Sequence, residues 1–323
     1  MHDVTVVALT IGEPYLERAL ASAARQTLPP ADVVVVRDVS PFHCALNAGA
    51  ARVRTPFFVQ LDADVTLDDT CLADLRALVR DDCSIVAGML RDPVVGRTMG
   101  IRLYRTACVA DAPIRDTISP DMDFTRDAAR LGWRRLNALC WRGADRGAWH
   151  TFGDHQPDYT PLYTYAKFRL EGIRARYRRR EQRAQLMFQR LCPSPHPVAP
   201  LALIAMCHGL FHRDPSDQLA PYRRTAEFDW LQAFLAGPSG AALPEPPLAS
   251  DDPARAFREA YAFGVACRQR RAPSALLARL ERLRRSAGLV ARVAIAGLCH
   301  GMFQDDFSHQ AAAEAYASLS EVL

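Results

Sequence analysis

Two carboxylates one residue apart, Asp62 and Asp64, close the apolar stretch "FFVQLDADV" that runs from Phe57 to Val65. Alternation in an extended segment puts both on one side. Carboxylates at a strand end can hold a hard divalent cation such as Mg2+ or Mn2+ through their oxygens. An ordinary strand ending in a solvated turn would carry the same residues. The acidic stretch "ISPDMDF" contributes Asp121 and Asp123 just before a helical pattern from Phe124 to Leu131, where Ser119 or Asp121 is also a good helix cap. A third set, Cys207/His208 and Cys299/His300, suggests a metal. Adjacent residues on a regular helix cannot both face one ion, however, and neither pair has partner ligands nearby in sequence, which favours a structural role near a helix end.

The elements that must position these groups follow from hydrophobic patterning. Val4 to Leu9, Val33 to Val36 and Phe57 to Leu61 are continuous apolar runs rich in β-branched residues, and Pro14 to Gln26 has helical spacing. Continuous apolar strands separated by helices predict an α/β unit with a mostly parallel sheet covered on both faces. Ser84 to Met89 and Gly100 to Tyr104 add two further strands. Residues 133–161 are rich in Gly, Trp, His and Asp with weak periodicity, which predicts a loop-rich wall. Beyond Tyr163 the signals turn helical, with one long helix expected from Thr164 to Leu191 and Pro-rich breaks near 193–200 and 238–253. The expected division is an α/β domain over 1–160 and an all-α domain over 161–323.

The all-α half repeats itself. "MCHGLFHRD" from Met206 and "LCHGMFQDD" from Leu298 match at an offset of 92 residues, and the same offset sets Gly172 on Gly264, Arg176 on Arg268, Leu191 on Leu283 and Leu203 on Ile295. A register kept over about 40 residues without a gap predicts a duplicated helical unit, roughly 163–235 and 255–323.

Composition sets outer bounds. At 323 residues with 49% hydrophobic and 24% charged residues, the chain is long enough for two cores and is not a disordered polypeptide. No apolar run reaches the roughly 20 residues of a membrane span, and the first apolar run lacks the basic start of a signal peptide. Nine cysteines without CxxC spacing fit free thiols in a reducing compartment, so a cytoplasmic location is expected. Lys167 is the sole lysine, so nearly all basic residues are arginine, whose planar fork suits phosphate. Seven arginines lie between Arg169 and Arg183. They suit a solvated helix face, peripheral contact with an anionic membrane surface, or contact with a phosphate-bearing acceptor or donor. No aromatic interleaving accompanies them, which argues against nucleic acid.

In order, the first half reads "VVALTIGEPYLERALASAARQT", "VVVVRDVS", "ALNAGAARVRTPFFVQLDADV" and "SPDMDFTRDAARLGW". This series resembles the family 2 glycosyltransferases, enzymes with the Rossmann-like GT-A fold that binds nucleotide-diphospho-sugars. The resemblance covers about residues 4–135. It implies transfer of a sugar from a UDP- or GDP-sugar donor to an acceptor hydroxyl on a glycan, lipid-linked or protein substrate, with a divalent cation, Mn2+ or Mg2+, on the donor diphosphate. It implies Asp64 as the direct metal ligand and Asp62 near the donor's sugar or ribose. Thr10 and Glu13 fall in the loop that covers the base, and Asp38 at the end of the second strand. Arg37 stands where the family has a base-recognising carboxylate, which weakens any inference that the base is uracil.

The same resemblance makes Asp121 the general base of an inverting reaction, with Pro120 replacing the usual Glu. It also implies a late histidine reaching the metal or the diphosphate: His155 is the preferred residue, with His150 as a rival and Trp149 as a sugar-stacking candidate. The helical half would recognise the acceptor or mediate assembly, including self-association. Two other classes compete: a nucleotidyltransferase of similar fold, although "TIGEPYLER" lacks the Gly-rich basic loop such enzymes carry, and a non-catalytic sugar-nucleotide or protein interaction module.

Overall fold

The computed structural model describes residues 3–138, 150–177, 181–212, 226–237, 243, 251–286, 288–305 and 307–320. The chain divides into two compact units, Met1–Pro157 and Asp158–Leu323.

The first unit is built on one mixed sheet. Its strands are β1 (Val4–Thr10), β2 (Asp32–Arg37), β3 (Phe57–Asp62), β4 (Val65–Leu67), β5 (Cys83–Asp92), β6 (Gly96–Arg105), β7 (Arg134–Ala138) and β8 (Gly153–His155), in the order β2-β1-β3-β6-β5-β8-β4, with β7 also on β5. The β2-β1-β3 half is parallel, as the apolar runs predict. Alternate residues of these strands feed two cores. Val4, Val6, Val59 and Leu61 pack on one face with α1 (Leu16–Ala24) and α3 (Cys71–Ala77). Val7, Val34, Val36 and Phe58 pack on the other with α2 (Phe42–Ala50), α4 (Thr106–Asp111) and α5 (Pro120–Arg130). Burial on both faces is why these strands lack polar alternation.

The other half of the sheet departs from the parallel pattern. β6 runs antiparallel between β3 and β5, and β5 and β6 form a long hairpin that extends the strands expected over 84–89 and 100–104. The connection between β5 and β6 is too short for the crossover that a parallel pair requires. Helix α5 starts at Pro120, four residues before the expected Phe124, because proline with its fixed φ suits a helix's first turn. Asp121 therefore sits in a helical turn, and Ser119 caps it without a side-chain hydrogen bond.

Two polar side chains act as latches. Gln26 donates to the Ser22 and Asp68 carbonyls and accepts from the Leu72 amide. The Asn47 amide group pairs with both backbone groups of Ile114. Gly49 brings α2 against β1 so closely that a Cβ would lie 2.4 Å from Val7 Cγ1.

The second unit is helical: α6 (Pro161–Tyr177), α7 (Glu181–Leu191), α8 (Ala199–Leu210), α9 (Ala226–Ala236), α10 (Pro253–Gln269), α11 (Pro273–Arg284), α12 (Leu289–Gly301) and α13 (His309–Ser320). The single long helix expected from Thr164 to Leu191 is instead α6 and α7. Arg183 Nε donates to Glu171 Oε2 at 2.7 Å, whereas twelve residues of continuous helix would part them by about 18 Å.

Burial alone would raise the Glu171 carboxyl, but the Arg183 and Arg174 guanidiniums outweigh it and hold it at about 2. Its folded value lies below the ordinary 4.5, so the cluster stabilises above that pH and loses its contribution as pH falls towards 2. Glu171→Gln is expected to lower stability by about 2 kcal/mol at pH 7, a figure reduced for the partial exposure of Arg183, and to flatten the acid limb of the stability curve. Denaturant titrations at pH 7 and pH 3 check both.

Two helix crossings in this unit use glycine as backbone spacers. A Cβ on Gly172 would meet the Met206 carbonyl oxygen at 2.1 Å, and one on Gly209 the Arg169 carbonyl oxygen at 2.0 Å. Ninety-two residues on, Gly264 meets the Leu298 carbonyl oxygen at 2.3 Å and Gly301 the Tyr261 carbonyl oxygen at 2.1 Å. Of the basic run, Arg169 is buried and Arg174, Arg176 and Arg183 bond within the unit; residues 178–180 lie outside the described residues. No helix among the described residues is long and apolar enough to cross a membrane, and the eight described cysteines are free.

Candidate active site

In a sheet ordered β2-β1-β3, the chain passes from β1 to β2 on one side and then crosses to β3 on the other, and this reversal of strand order opens a crevice at the carboxyl ends of these strands. Thr10 ends β1, Asp38 follows β2, Asp62 ends β3 and Asp64 lies two residues beyond it. The topology thus places four sequence candidates along one sheet edge.

Their local geometry differs. Thr10 Oγ1 donates to Glu13 Oε2 at 2.7 Å, and Glu13 also accepts from the Ile11 amide at 2.8 Å, so these two side chains close on each other and brace the loop after β1. Asp38 is exposed with φ of +56°, and its amide donates to the Thr10 carbonyl, which ties the β2 end to the β1 end.

Asp62 is held by the Gln60 amide, which donates to both its oxygens at 2.9 and 3.0 Å. Burial first, and then the Asp64 charge, push its carboxyl up to about 6. The second acid faces an imidazole: His155 Nε2 lies 3.4 Å from Asp64 Oδ2. The opposite ring nitrogen, Nδ1, is 2.7 Å from Asp92 Oδ2, whose side chain is fully buried. Asp92 Oδ1 in turn accepts the amides of Val94 and Val95. The ring is thereby fixed with Nε2 towards Asp64.

Backbone pairing delivers this histidine. β8 pairs antiparallel with β4, setting His155 opposite Val65, and the Gln156 amide donates to the Asp64 carbonyl at 2.8 Å. Gly153 permits the approach, since a Cβ there would lie 2.2 Å from the Thr66 carbonyl oxygen. His150 is placed elsewhere, edge-on to Phe152 and 3.7 Å from Asp74, among core-facing groups. Trp149 lies outside the described residues.

Asp121 is engaged by guanidiniums. Arg102 Nη2 donates to its Oδ2 at 3.0 Å, and Arg135 Nη1 lies 3.9 Å away. Arg102 stands on β6 opposite Gln60 of β3, so it links the Asp62 and Asp121 sides of the site. Its Nε is buried without a hydrogen-bond partner.

No group of three metal-ligating side chains occurs among the described residues. Asp64 with His155 Nε2 nonetheless fits a hard divalent cation, which commonly takes one or two protein ligands and completes its shell with phosphate oxygens and water. A carboxylate on the far nitrogen of a ligating histidine is the usual support for such a site.

No protein-family model and no curated protein matches the chain. Solved structures do match. TarS of S. aureus, residues 1–349, shares 14% identity over 97% of this chain and 91% of its own, at a TM-score of 0.37. The mannosyltransferase PcManGT from Pyrobaculum calidifontis, in complex with GDP-Man and Mn2+, shares 16% identity over 93% and 87%, at a TM-score of 0.43. A second TarS structure, 16% identical over 97% and 91% with a TM-score of 0.37, is in complex with UDP-GlcNAc. Both proteins were captured with a nucleotide sugar.

Sequence reasoning missed Asp92, Arg102 and Gln60. Asp92 had a weak signal, an acid followed by proline at a strand end. Arg102 and Gln60 lie inside strand patterns and had none.

Proposed function

We propose that this protein transfers a sugar from a nucleotide-diphospho-sugar to an acceptor hydroxyl. The observation that carries the reading is the Asp64–His155–Asp92 array at the carboxyl edge of the parallel strands. Asp64 and His155 would hold a divalent cation, which when bound neutralises charge on the donor diphosphate.

The chain's own groups supply the rest. Asp62, with its carboxyl raised by burial, would receive a sugar or ribose hydroxyl. Thr10, Glu13 and Asp38 would border the nucleotide base. Asp121 would take the acceptor hydroxyl's proton as the new bond to the anomeric carbon forms and the bond to the diphosphate breaks, giving inversion. That role requires Asp121 to exchange part of its contact with Arg102 for the acceptor hydroxyl. The loop after β1, closed by an acid and a hydroxyl, speaks against the nucleotidyltransferase alternative, which needs backbone amides and cations there.

Calorimetry with UDP and GDP, with and without Mn2+, tests the reading: binding that Mn2+ tightens is expected, and no binding of either nucleotide would overturn it. Asp121→Asn is expected to lower turnover by at least about a hundredfold with donor affinity kept. An equal loss of donor affinity would make Asp121 a positioning residue.

A further inference from the structure

A cavity of about 410 Å³ lies inside the helical unit, lined by Arg169, His208, Glu227, Tyr261, His300 and Phe303 among others. Arg169 is only 4% exposed, yet its Nε and Nη1 are buried without hydrogen-bond partners. Its nearest acid, Glu227, is 3.7 Å from Nη2, beyond hydrogen-bond range, and Glu227 Oε2 is also buried without a partner. Leaving such groups unfilled is costly, the more so when they are charged. The arrangement is therefore expensive unless something enters the cavity.

The cavity is assembled from residues that correspond across the 92-residue offset. His208 stacks on Phe303 with centroids 3.9 Å apart, and His300 stacks on Phe211 at 3.8 Å, a reciprocal exchange between the two halves. These equivalent positions keep the same residue types and form the walls. Arg169 corresponds to Tyr261, and His212 to Gln304, so at these lining positions the halves differ. A symmetric scaffold with unlike groups facing its cavity suits an asymmetric occupant.

Charge narrows the occupant's chemistry. Of the permanently charged lining groups, one guanidinium faces two carboxylates, Glu227 and Glu314, and burial pulls the neighbouring His208 down to about 3, so these groups carry no surplus of positive charge to hold an anion. On Arg169 and Glu227 the unfilled atoms are two N–H donors and one carboxylate oxygen. A hydroxyl can accept from the first and donate to the second. Neighbouring hydroxyls on one ring can do both at once, and the aromatic walls suit its apolar face.

We propose that this cavity binds a carbohydrate, with adjacent hydroxyls bridging Arg169 and Glu227. The site lies within the helical unit and does not depend on the transfer reading.

The test uses the full chain, fluorescently labelled, on a glycan array, with inorganic phosphate titrated separately. Binding to a subset of glycans is expected. Glu227→Gln and Arg169→Met should each weaken it at least tenfold. Arg169→Met should also leave the melting temperature unchanged or raised, because it removes a buried charge with unfilled donors; a purely structural arginine would lower it. Asp64→Ala should retain glycan binding. The proposal is overturned if no glycan binds, if phosphate binds and glycans do not, if both cavity variants bind normally, or if Asp64→Ala alone abolishes binding.

Discussion

Asp64→Ala is expected to abolish sugar transfer, with a fall of at least about a thousandfold, equivalent to roughly 4 kcal/mol of lost transition-state stabilisation. The carboxylate stands 3.4 Å from His155 Nε2 at the carboxyl edge of the parallel strands, so its loss would leave the proposed cation with the imidazole as its sole ligand from this pair. Replacing the supporting acid should cost less: Asp92→Asn keeps the Val94 and Val95 turn but loses the charge behind His155, and a 10- to 100-fold fall is expected. The two variants together separate ligand from support. Steady-state transfer assays across a Mn2+ titration provide the check: Asp92→Asn should be partly rescued by high metal and Asp64→Ala should not. An Asp64→Ala protein with undiminished transfer would remove the metal assignment.

The largest structural effect is expected at the helix crossings. Gly209→Ala would place a methyl 2.0 Å from the Arg169 carbonyl oxygen, and that oxygen belongs to the backbone of α6 and cannot swing away. The helices must separate, which opens gaps along the whole contact. A loss of about 3 kcal/mol is expected, at the upper end of the usual range for overpacking. For a unit of this size that lowers the melting temperature by roughly 6–12 °C. Gly301→Ala should do the same at the α10–α12 crossing, where the Tyr261 carbonyl oxygen is 2.1 Å from the added methyl. Thermal unfolding followed by circular dichroism at 222 nm measures both. A shift below 2 °C in each would mean that the crossings yield more readily than close packing allows.

Much of the site's frame was legible in sequence because it is local. Val4 to Leu9, the four valines from Val33 and Phe57 to Leu61 read as buried strands from composition alone, and the acids that end them follow by adjacency. The 92-residue offset was also legible, since it compares the chain with itself. Illegible was everything that depends on a partner distant in sequence. His155 and Asp92 are 63 residues apart, and Arg102 and Asp121 are 19 apart. The latch roles of Gln26 and Asn47 were equally hidden, since their partners lie 42 and 67 residues away.

The sequence by itself determined the apolar strands β1, β2 and β3, the helical character of the second half and the acids near the ends of β2 and β3, because hydrophobic periodicity and strand-end acids act over a few residues; it did not reveal β7 and β8, which form within the stretch expected to be a loop-rich wall. Only the tertiary structure decided that β6 runs antiparallel between β3 and β5, that α6 and α7 are separate helices, and that His155 rather than His150 meets Asp64. It also decided that Arg169, one arginine in a basic run, faces a cavity with its donors unfilled. These outcomes depend on pairing register and on the approach distances that Gly153, Gly172 and Gly209 allow, and those are set by contacts between segments far apart in the chain.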